Sequence, residues 1–269
     1  SPTLLPQGGT YVHTHAPKKG EYWLTGVIFC ATILNRKPPL GFRPKGAGSL
    51  PEKGVTPAFF EMKITYVYVD GFNLYHRAVK GTPYKWLDLK KLATHLLRGA
   101  HHIEAIKYFT AIVSAPPEDP RKTIRQLTYI RALETYIPEL EVYYGHFLSH
   151  VRKAPLAHPT SNKKFVEIIK TEEKGSDVNL AVHLLNDAWL NRYDCAVVIS
   201  NDSDLAEAIR LVKKHHKKTI GIILPPRVKA SKELLALADF VKRIRRGVLQ
   251  ISQLPEQIPG TNIHRPPEW

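Results

Sequence analysis

The sequence predicts an α/β protein folded as a single three-layer α/β/α sandwich, with a mostly parallel sheet between two layers of helices. From residue 62 onward, apolar runs of strand length alternate with amphipathic segments of helical length. This alternation is typical of repeated strand–helix–strand crossovers, which place helices on both faces of a parallel sheet. About two hundred residues is also a normal size for one such domain.

The first half of the domain contains three predicted strands and two predicted helices. Ile64–Val69 is rich in β-branched and aromatic residues, which indicates a buried strand. Asp88 is placed to cap a helix whose leucines share one face. The following elements are a strand within Ile103–Val113, a helix over Arg121–Tyr136 and a strand over Leu140–Phe147.

The second half begins with a polar, basic segment, His150–Lys164, whose two prolines predict a loop or a mobile hairpin. Two helices follow. Ser176 can cap the first, which has the apolar residues Val178, Ala181, Val182 and Leu185; Ser203 or Asp204 opens the second, which has Leu205, Ala208, Ile209 and Val212 on one face. The other predicted elements are strands over Phe165–Lys170, Asp194–Ser200, Thr219–Leu224 and Phe240–Ile244, and a helix over Ser231–Ala238.

Residues 1–61 differ in composition from the rest of the chain. They hold half of its 16 glycines and no aspartate, and they show little periodicity of either kind. The only methionine, Met62, directly precedes the first predicted strand. We therefore predict that 1–61 is a disordered or non-native upstream extension, that 62–250 is the folded domain, and that 251–269 is a C-terminal tail.

The composition favours a polyanionic partner in a reducing compartment. A formal net charge of +15 and a pI near 9.7 favour nucleic acid, the alternative being a basic but inert surface. Two cysteines exclude a disulfide framework, and no Cys/His spacing indicates a zinc site, so a cytoplasmic location is expected. The longest apolar stretch, 23–34, is too short to span a bilayer, so no membrane is predicted.

Four aspartates lie just beyond predicted strands or at predicted helix starts. Asp70 follows the first strand, Asp202 and Asp204 follow Asp194–Ser200, and Asp177 begins a helix. Ligands of parallel sheets bind beyond the carboxyl ends of the strands, and carboxylates gathered there repel one another unless a cation joins them. Each aspartate alone could be a helix cap or a first-turn charge. Together they predict a site for one or two Mg²⁺ or Mn²⁺ ions, which prefer oxygen ligands.

Such a site would act on phosphoesters, because the ion polarises a phosphate oxygen and activates water. We consider four polar side chains as groups that support the ligands or orient the phosphate: Asn73, Lys174, Ser200 and Asn201. The absence of a P-loop and of G-x-G-x-x-G argues against an ATPase or a dinucleotide enzyme. A metal-dependent phosphatase is a weaker alternative, because the strong positive charge suits a polymer better than a small ester.

Three segments carrying these aspartates resemble the signature motifs of the NYN domain, a branch of the PIN-like nucleases that includes LabA-like proteins. The segments are Val69-Asp-Gly-Phe-Asn-Leu74, Lys174-Gly-Ser-Asp-Val-Asn179 and Ser200-Asn-Asp-Ser-Asp-Leu205, and the resemblance spans about 62–245. It implies a Rossmann-like (PIN-like) sheet and Mg²⁺- or Mn²⁺-dependent cleavage of RNA. The implied catalytic set is Asp70, Asp177, Asp202 and Asp204, with Asn73 in support. Asn201 stands where the family often has glycine. The alternative is a non-catalytic RNA-binding or regulatory NYN module.

RNA is expected to lie against basic and aromatic side chains around the aspartates. The segment 150–164 leaves the third strand near the predicted site, so we predict that it clamps RNA through Arg152, Lys153, Lys163 and Lys164, with a solvated loop as the alternative. Tyr75, Tyr84 and Trp86 could stack on bases or pack in the core, and for Trp86 we favour the core.

Overall fold

A computed structural model gives the fold and describes residues 62–99, 101–159 and 163–269; the extension predicted over 1–61 lies outside them. The strands are β1 (Lys63–Asp70), β2 (His101–Thr110), β3 (Leu140–Tyr144), β4 (His146–Pro155), β5 (Phe165–Lys174), β6 (Cys195–Ile199), β7 (Thr219–Leu224) and β8 (Phe240–Arg243). The helices are α1 (Gly71–Leu74), α2 (Leu89–Leu97), α3 (Lys122–Tyr136), α4 (Ser176–Trp189), α5 (Ala206–His216), α6 (Lys232–Leu237) and α7 (Arg246–Ile251). A π-helical turn over Tyr75–Val79 continues α1, and a 3₁₀ turn over Ser203–Leu205 precedes α5.

Six parallel strands form the main sheet in the order β3-β2-β1-β6-β7-β8. The chain builds outward from β1 through β2 to β3, then returns to the other side of β1 to add β6, β7 and β8. The order therefore reverses between β1 and β6, which is where open parallel sheets bind ligands. This topology confirms the predicted fold class and brings Asp70 and the end of β6 side by side.

The two faces of the sheet bury separate apolar clusters, which makes the fold three-layered. Val67 and Val69 of β1 point into a cluster with side chains of α2, α3 and α7. Tyr68, between them, points to the opposite face, where side chains of α4, α5 and α6 cover the sheet. The alternation follows from the two-residue period of a strand.

The apolar face predicted for α5 is buried, whereas the apolar residues named for α4 are not its most buried ones. Leu205, Ala208, Ile209 and Val212 of the second helix are buried. In α4, Val178 and Val182 are 65% and 56% exposed, Ala181 and Leu185 are partly buried, and the fully buried stripe is Leu180, Leu184 and Ala188. Gly175, in the left-handed region at φ 97°, is the N-cap of α4, so the prediction that Ser176 caps this helix is wrong by one residue. On the inner face of α4, Asp187 meets a buried cation.

That cation is Lys107 of β2, whose Nζ lies 2.7 Å from Oδ2 of Asp187. Both side chains are almost fully buried. The same Oδ2 accepts a hydrogen bond of 2.8 Å from the hydroxyl of Tyr68, and Arg192 donates to Oδ1 at 3.1 Å. Removing one partner of a buried pair typically costs about 3–5 kcal/mol, so this network fixes α4 against β1 and β2.

A two-stranded antiparallel hairpin, β4–β5, lies outside the main sheet. Of the two forms predicted for 150–164, a loop or a hairpin, the chain forms the hairpin. The strand predicted over Leu140–Phe147 is divided at Gly145, since β3 ends at Tyr144 and β4 begins at His146. The strand predicted over Phe165–Lys170 continues to Lys174, because cross-strand pairing extends to His146.

The segment after α7, predicted as a tail, packs along the domain. Leu254 and Ile258 are buried, and the indole N–H of Trp86 donates to the carbonyl of Pro255 at 2.8 Å. Trp86 itself is fully buried, which confirms the core role that we favoured for it. The helix α7 was not predicted. Within the described ranges, no helix has both the length and the apolar character needed to cross a membrane.

Candidate active site

Asp70 ends β1 and is the most buried of the four aspartates that the motifs contain, at 5% exposed. Its Oδ1 accepts a hydrogen bond of 2.9 Å from the backbone N–H of Asn73, so Asp70 caps α1. Its Oδ2 accepts one of 2.8 Å from the hydroxyl of Ser200, which in turn accepts from the N–H of Asp202 at 3.0 Å. A chain of hydrogen bonds thus joins the ends of β1 and β6.

Gly71 holds this junction close to β2. A Cβ at this position would lie 2.7 Å from the carbonyl oxygen of Phe109 and 2.9 Å from the ring of Tyr108. The backbone of Gly71 has no positive φ, so glycine is required here by close packing and not by an unusual turn. Hydrogen bonds thus hold the carboxylate of Asp70, and the close packing of Gly71 holds the backbone next to it.

Asp202 and Asp204 occupy different environments despite their spacing of two residues. Asp202 caps the 3₁₀ turn, its Oδ1 accepting from the N–H of Asp204 at 3.0 Å. Ser203 is the first residue of this 3₁₀ turn, as predicted, and Asp202, whose backbone is extended, is its cap. Asp202 is half-buried, whereas Asp204 is exposed.

The Lys174–Asn179 motif places Asp177 in the first turn of α4, and Glu173, just before the motif, lies close enough to act on its charge. Oε1 of Glu173 accepts hydrogen bonds from the N–H of Ser176 at 3.0 Å and from its hydroxyl at 2.7 Å. Gly145 makes room for this carboxylate, because a Cβ there would collide with Oε1 of Glu173 and lie 2.5 Å from the carbonyl oxygen of Lys174. Sequence reasoning missed Glu173, although its position directly before the Lys174–Asn179 motif was a signal.

One open cavity of about 410 Å³ gathers these groups at the sheet's switch point. Its lining residues are Asp70, Phe72, Asn73, His76, Val113, Lys122, Phe147, Glu173, Asp177 and Asp202. Three of the four predicted aspartates, joined by Glu173, therefore face a common space, and Asp204 does not line it. Lys122, at the start of α3, is the one lysine among the residues that line this cavity, and sequence reasoning missed it too.

The carboxylates act on one another electrostatically. Burial raises the pKa of Asp70, and the charges of Asp202 and Glu173 raise it further, against hydrogen bonds from Asn73 and Ser200 that lower it. Burial also raises the pKa of Asp177 to about 6, with Asp70 as the largest of the carboxylates that add to the effect. The cavity thus holds negative charge that a cation would relieve.

The donor chemistry fits Mg²⁺ or Mn²⁺, although the ligands are not drawn together around a point. Across the described residues, no three His, Cys, Asp or Glu side chains are arranged to hold one ion. His76 is the one potential nitrogen ligand among the residues that line the cavity, and the other donors are carboxylate and amide oxygens, as these ions prefer. These oxygen donors include Oδ1 of Asn73, which is buried without a hydrogen-bond partner in the described part of the chain. Coordination would require the carboxylates to approach one another.

The remaining predicted residues do not line the cavity. Asn201 braces the loop before α6, donating to the carbonyl of Lys229 at 3.0 Å and accepting from the N–H of Ser231 at 2.9 Å. Lys174 lies 3.4 Å from Glu172. The four residues of the predicted clamp are exposed on the hairpin or beside its turn: Arg152, Lys153, Lys163 and Lys164.

A six-stranded parallel α/β/α sandwich is consistent with a PIN-like fold. The family model of the NYN domain, a PIN-like, nuclease-type module, matches residues 64–244. The chain belongs to the NYN domain family, as its three motifs predicted.

Known proteins that are similar to this chain include one from Pseudomonas putida and one from Vibrio parahaemolyticus. The 6-hydroxy-3-succinoylpyridine 3-monooxygenase HspA of Pseudomonas putida is 31% identical over 233 residues, which cover 76% of this chain and 75% of HspA. A protein of unknown function from Vibrio parahaemolyticus, known from a crystal structure, is 17% identical with a TM-score of 0.45, over 69% of this chain and 95% of that one.

Proposed function

We propose that this protein is a metal-dependent ribonuclease that hydrolyses phosphodiester bonds of RNA. The observation that carries the proposal is the set of four carboxylates, Asp70, Glu173, Asp177 and Asp202, that line one cavity at the switch point of the sheet. The NYN family and the net charge of +15 both support a polyanionic substrate.

Asp70, Asp177 and Asp202 would hold Mg²⁺ or Mn²⁺, with Asp204 at the edge of the site and Asn73 in support. When bound, such an ion supplies Lewis-acid stabilisation of the charge that develops on the phosphate. Ser200 keeps the carboxylate of Asp70 oriented and couples it to the backbone of Asp202. Lys122 provides positive charge on the cavity wall, where it would neutralise a phosphate of the substrate.

The β4–β5 hairpin would guide RNA to the site. Phe147 and Glu173 are cross-strand partners and line the cavity, so one end of the hairpin forms part of the site. Arg152 and Lys153 lie farther along β4, toward the end of that strand opposite to Phe147. Contacts from these cations to phosphates would weaken as salt concentration rises.

The experiment uses the full chain and matched RNA and DNA oligonucleotides, with Mn²⁺, Mg²⁺ or EDTA. We expect RNA cleavage that requires the metal and that falls about a hundredfold or more in Asp70→Asn and Asp202→Asn. Asp194→Asn is the control, because Asp194 precedes β6 at the opposite end of the sheet and should leave the rate within about twofold. Undiminished cleavage by a folded Asp70→Asn/Asp202→Asn double variant would refute the proposal.

A second candidate function is hydroxylation of a heteroaromatic ring, favoured by the name of the similar Pseudomonas putida protein and by an apolar cavity beside the acidic one. Its test supplies 6-hydroxy-3-succinoylpyridine, dioxygen and a two-electron reductant, and measures the loss of the pyridine. Turnover of the pyridine without RNA cleavage would favour this candidate.

RNA binding without any cleavage would favour a regulatory module, and release of phosphate from p-nitrophenyl phosphate would favour a phosphatase.

A further inference from the structure

A second cavity, of about 390 Å³, adjoins the acidic one. The two cavities share the side chains of Phe72, His76, Val113 and Lys122, so they meet along a common wall. The second cavity has no aspartate of the acidic cluster and is lined mainly by aromatic and aliphatic groups. A volume of this size lies within the range of small-molecule sites.

Aromatic rings form much of the lining, and their positions are fixed by contacts outside the cavity. The ring of Trp269 lies edge-on against Trp86 and Tyr129, with ring centroids 6.3 and 5.7 Å apart. The hydroxyl of Tyr129 donates to the carbonyl of Leu87 at 2.7 Å, so its polar atom is already satisfied. Tyr75 and Tyr108 add two further rings to the lining. Fixed aromatic surfaces of this kind favour a planar ring as the occupant.

The charged side chains that line the same space are four cations, Lys80, Lys85, Lys122 and Arg125, and two carboxylates, Glu118 and Asp119. Nζ of Lys85 lies 6.0 Å from the centre of the Trp269 ring. In the described part of the chain, neither Lys80 nor Lys122 has a carboxylate within ion-pair distance, whereas Arg125 is paired with Asp119 at 2.5 Å. The charges of these lysines act on His76: burial lowers its pKa, and Lys80 and Lys122 lower it further.

We propose that this aromatic cavity binds a planar heteroaromatic ring joined to an anion, with the anion at Lys122 on the wall shared with the acidic cavity. The ring would stack on the aromatic side chains of the lining. The anion would pair with Lys122, which has no carboxylate partner in the described part of the chain. A nucleotide of RNA and a free heteroaromatic acid both have this chemistry. Of these two ligands, we assign the cavity to the RNA nucleotide next to the cleaved bond. This choice of ligand rests on the proposed function, whereas the ligand chemistry of the cavity does not.

The test measures binding by calorimetry to the full chain in EDTA, so that cleavage plays no part. The ligands are a nucleoside 5′-monophosphate, pyridine-3-carboxylate and ribose 5-phosphate, which has the anion but no ring. We expect the nucleotide to bind roughly tenfold or more tightly than ribose 5-phosphate, since stacking on aromatic side chains stabilises a bound base. Binding of pyridine-3-carboxylate alone would keep the cavity's ligand chemistry and refute the nucleotide as its source.

Three variants locate the binding. Trp269→Leu should weaken nucleotide binding roughly tenfold, and Lys122→Ala should weaken it while leaving the fold intact, because Lys122 is exposed. Trp189→Leu is the matched control, since Trp189 lies 76% exposed on α4 and outside the cavity. A folded Trp269→Leu protein with unchanged binding, or equal affinity for ribose 5-phosphate and both ring ligands, would overturn the proposal. Retained nucleotide binding in a protein that cleaves no RNA would refute the nuclease, and with it the position next to a cleaved bond, but would leave the ligand chemistry of the cavity standing.

Discussion

Replacing Asp177 by asparagine should stabilise the protein in the absence of metal while it removes nuclease activity. The carboxylate is half-buried beside Asp70, Asp202 and Glu173, and its pKa is raised from the ordinary 3.8 to about 6. The folded state therefore keeps a proton that the unfolded state has released between these two values. The resulting penalty is absent below pH 3.8, grows up to about pH 6 and is fully present at pH 7.

The size of the effect follows from the raised pKa. At ~1.36 kcal/mol for each pKa unit, the penalty would reach at most ~3 kcal/mol. Solvent screening at a half-buried carboxylate reduces this to about 1 kcal/mol. Loss of a favourable charge in the first turn of α4 subtracts a few tenths of a kcal/mol. We therefore expect Asp177→Asn to gain roughly 0.5–1 kcal/mol at pH 7 and nothing below pH 3.8.

Urea unfolding of both proteins in EDTA, at pH 3.5 and pH 7, measures the two differences in free energy. Glu207→Gln is the matched control, because Glu207 is an exposed acid in the first turn of α5 and should show only the small losses of helix-end charge and of its exposed ion pair with Arg210. If Asp177→Asn is no more stable than the wild type at pH 7, or if its gain persists unchanged at pH 3.5, the electrostatic account of the cavity is wrong.

Three other predictions test the surroundings of the site. Mn²⁺ at a hundred times its Kd should stabilise the wild type by about 2.7 kcal/mol and Asp202→Asn by much less, measured by thermal unfolding; equal stabilisation would place the ion elsewhere. Gly145→Ala should lower Mn²⁺ affinity in calorimetry by displacing the neighbouring glutamate, whereas Gly247→Ala, with open space around it, should not. Lys107→Met should destabilise the protein by roughly 3–5 kcal/mol in urea unfolding, while Lys90→Met, in a partly exposed pair, should cost less than about 1 kcal/mol.

The local sequence predicts the buried face of a helix when the helix has a single apolar stripe. The apolar stripe of α5 appears in the sequence as Leu205, Ala208, Ile209 and Val212, and it is the stripe that the fold buries. In α4 the sequence contains two apolar stripes. The choice between them depends on the contact of Asp187 with Lys107, eighty positions away in the chain, which no local pattern contains.

The candidate site divides along the same line. Asp70, Asp177 and Asp202 could be predicted because each lies in a motif at the end of a strand or the start of a helix. Glu173 directly precedes a motif and Lys122 lies in none, and the position of each at the cavity depends on how the hairpin and α3 pack. The structure also joins two interpretations that the sequence left as alternatives. Asp70 and Asp202 are helix caps and also line the acidic cavity, because a side chain that caps a turn at the switch point faces the space beyond it.

The most direct test of the central claim is the rate of RNA cleavage by the full chain with Mn²⁺, compared with the rate of the Asp202→Asn variant under the same conditions. The account predicts cleavage that EDTA abolishes and that falls about a hundredfold or more when this single carboxylate is lost. Equal rates for the two folded proteins, or cleavage that continues in EDTA, would contradict the claim that the carboxylates at the switch point are the catalytic centre.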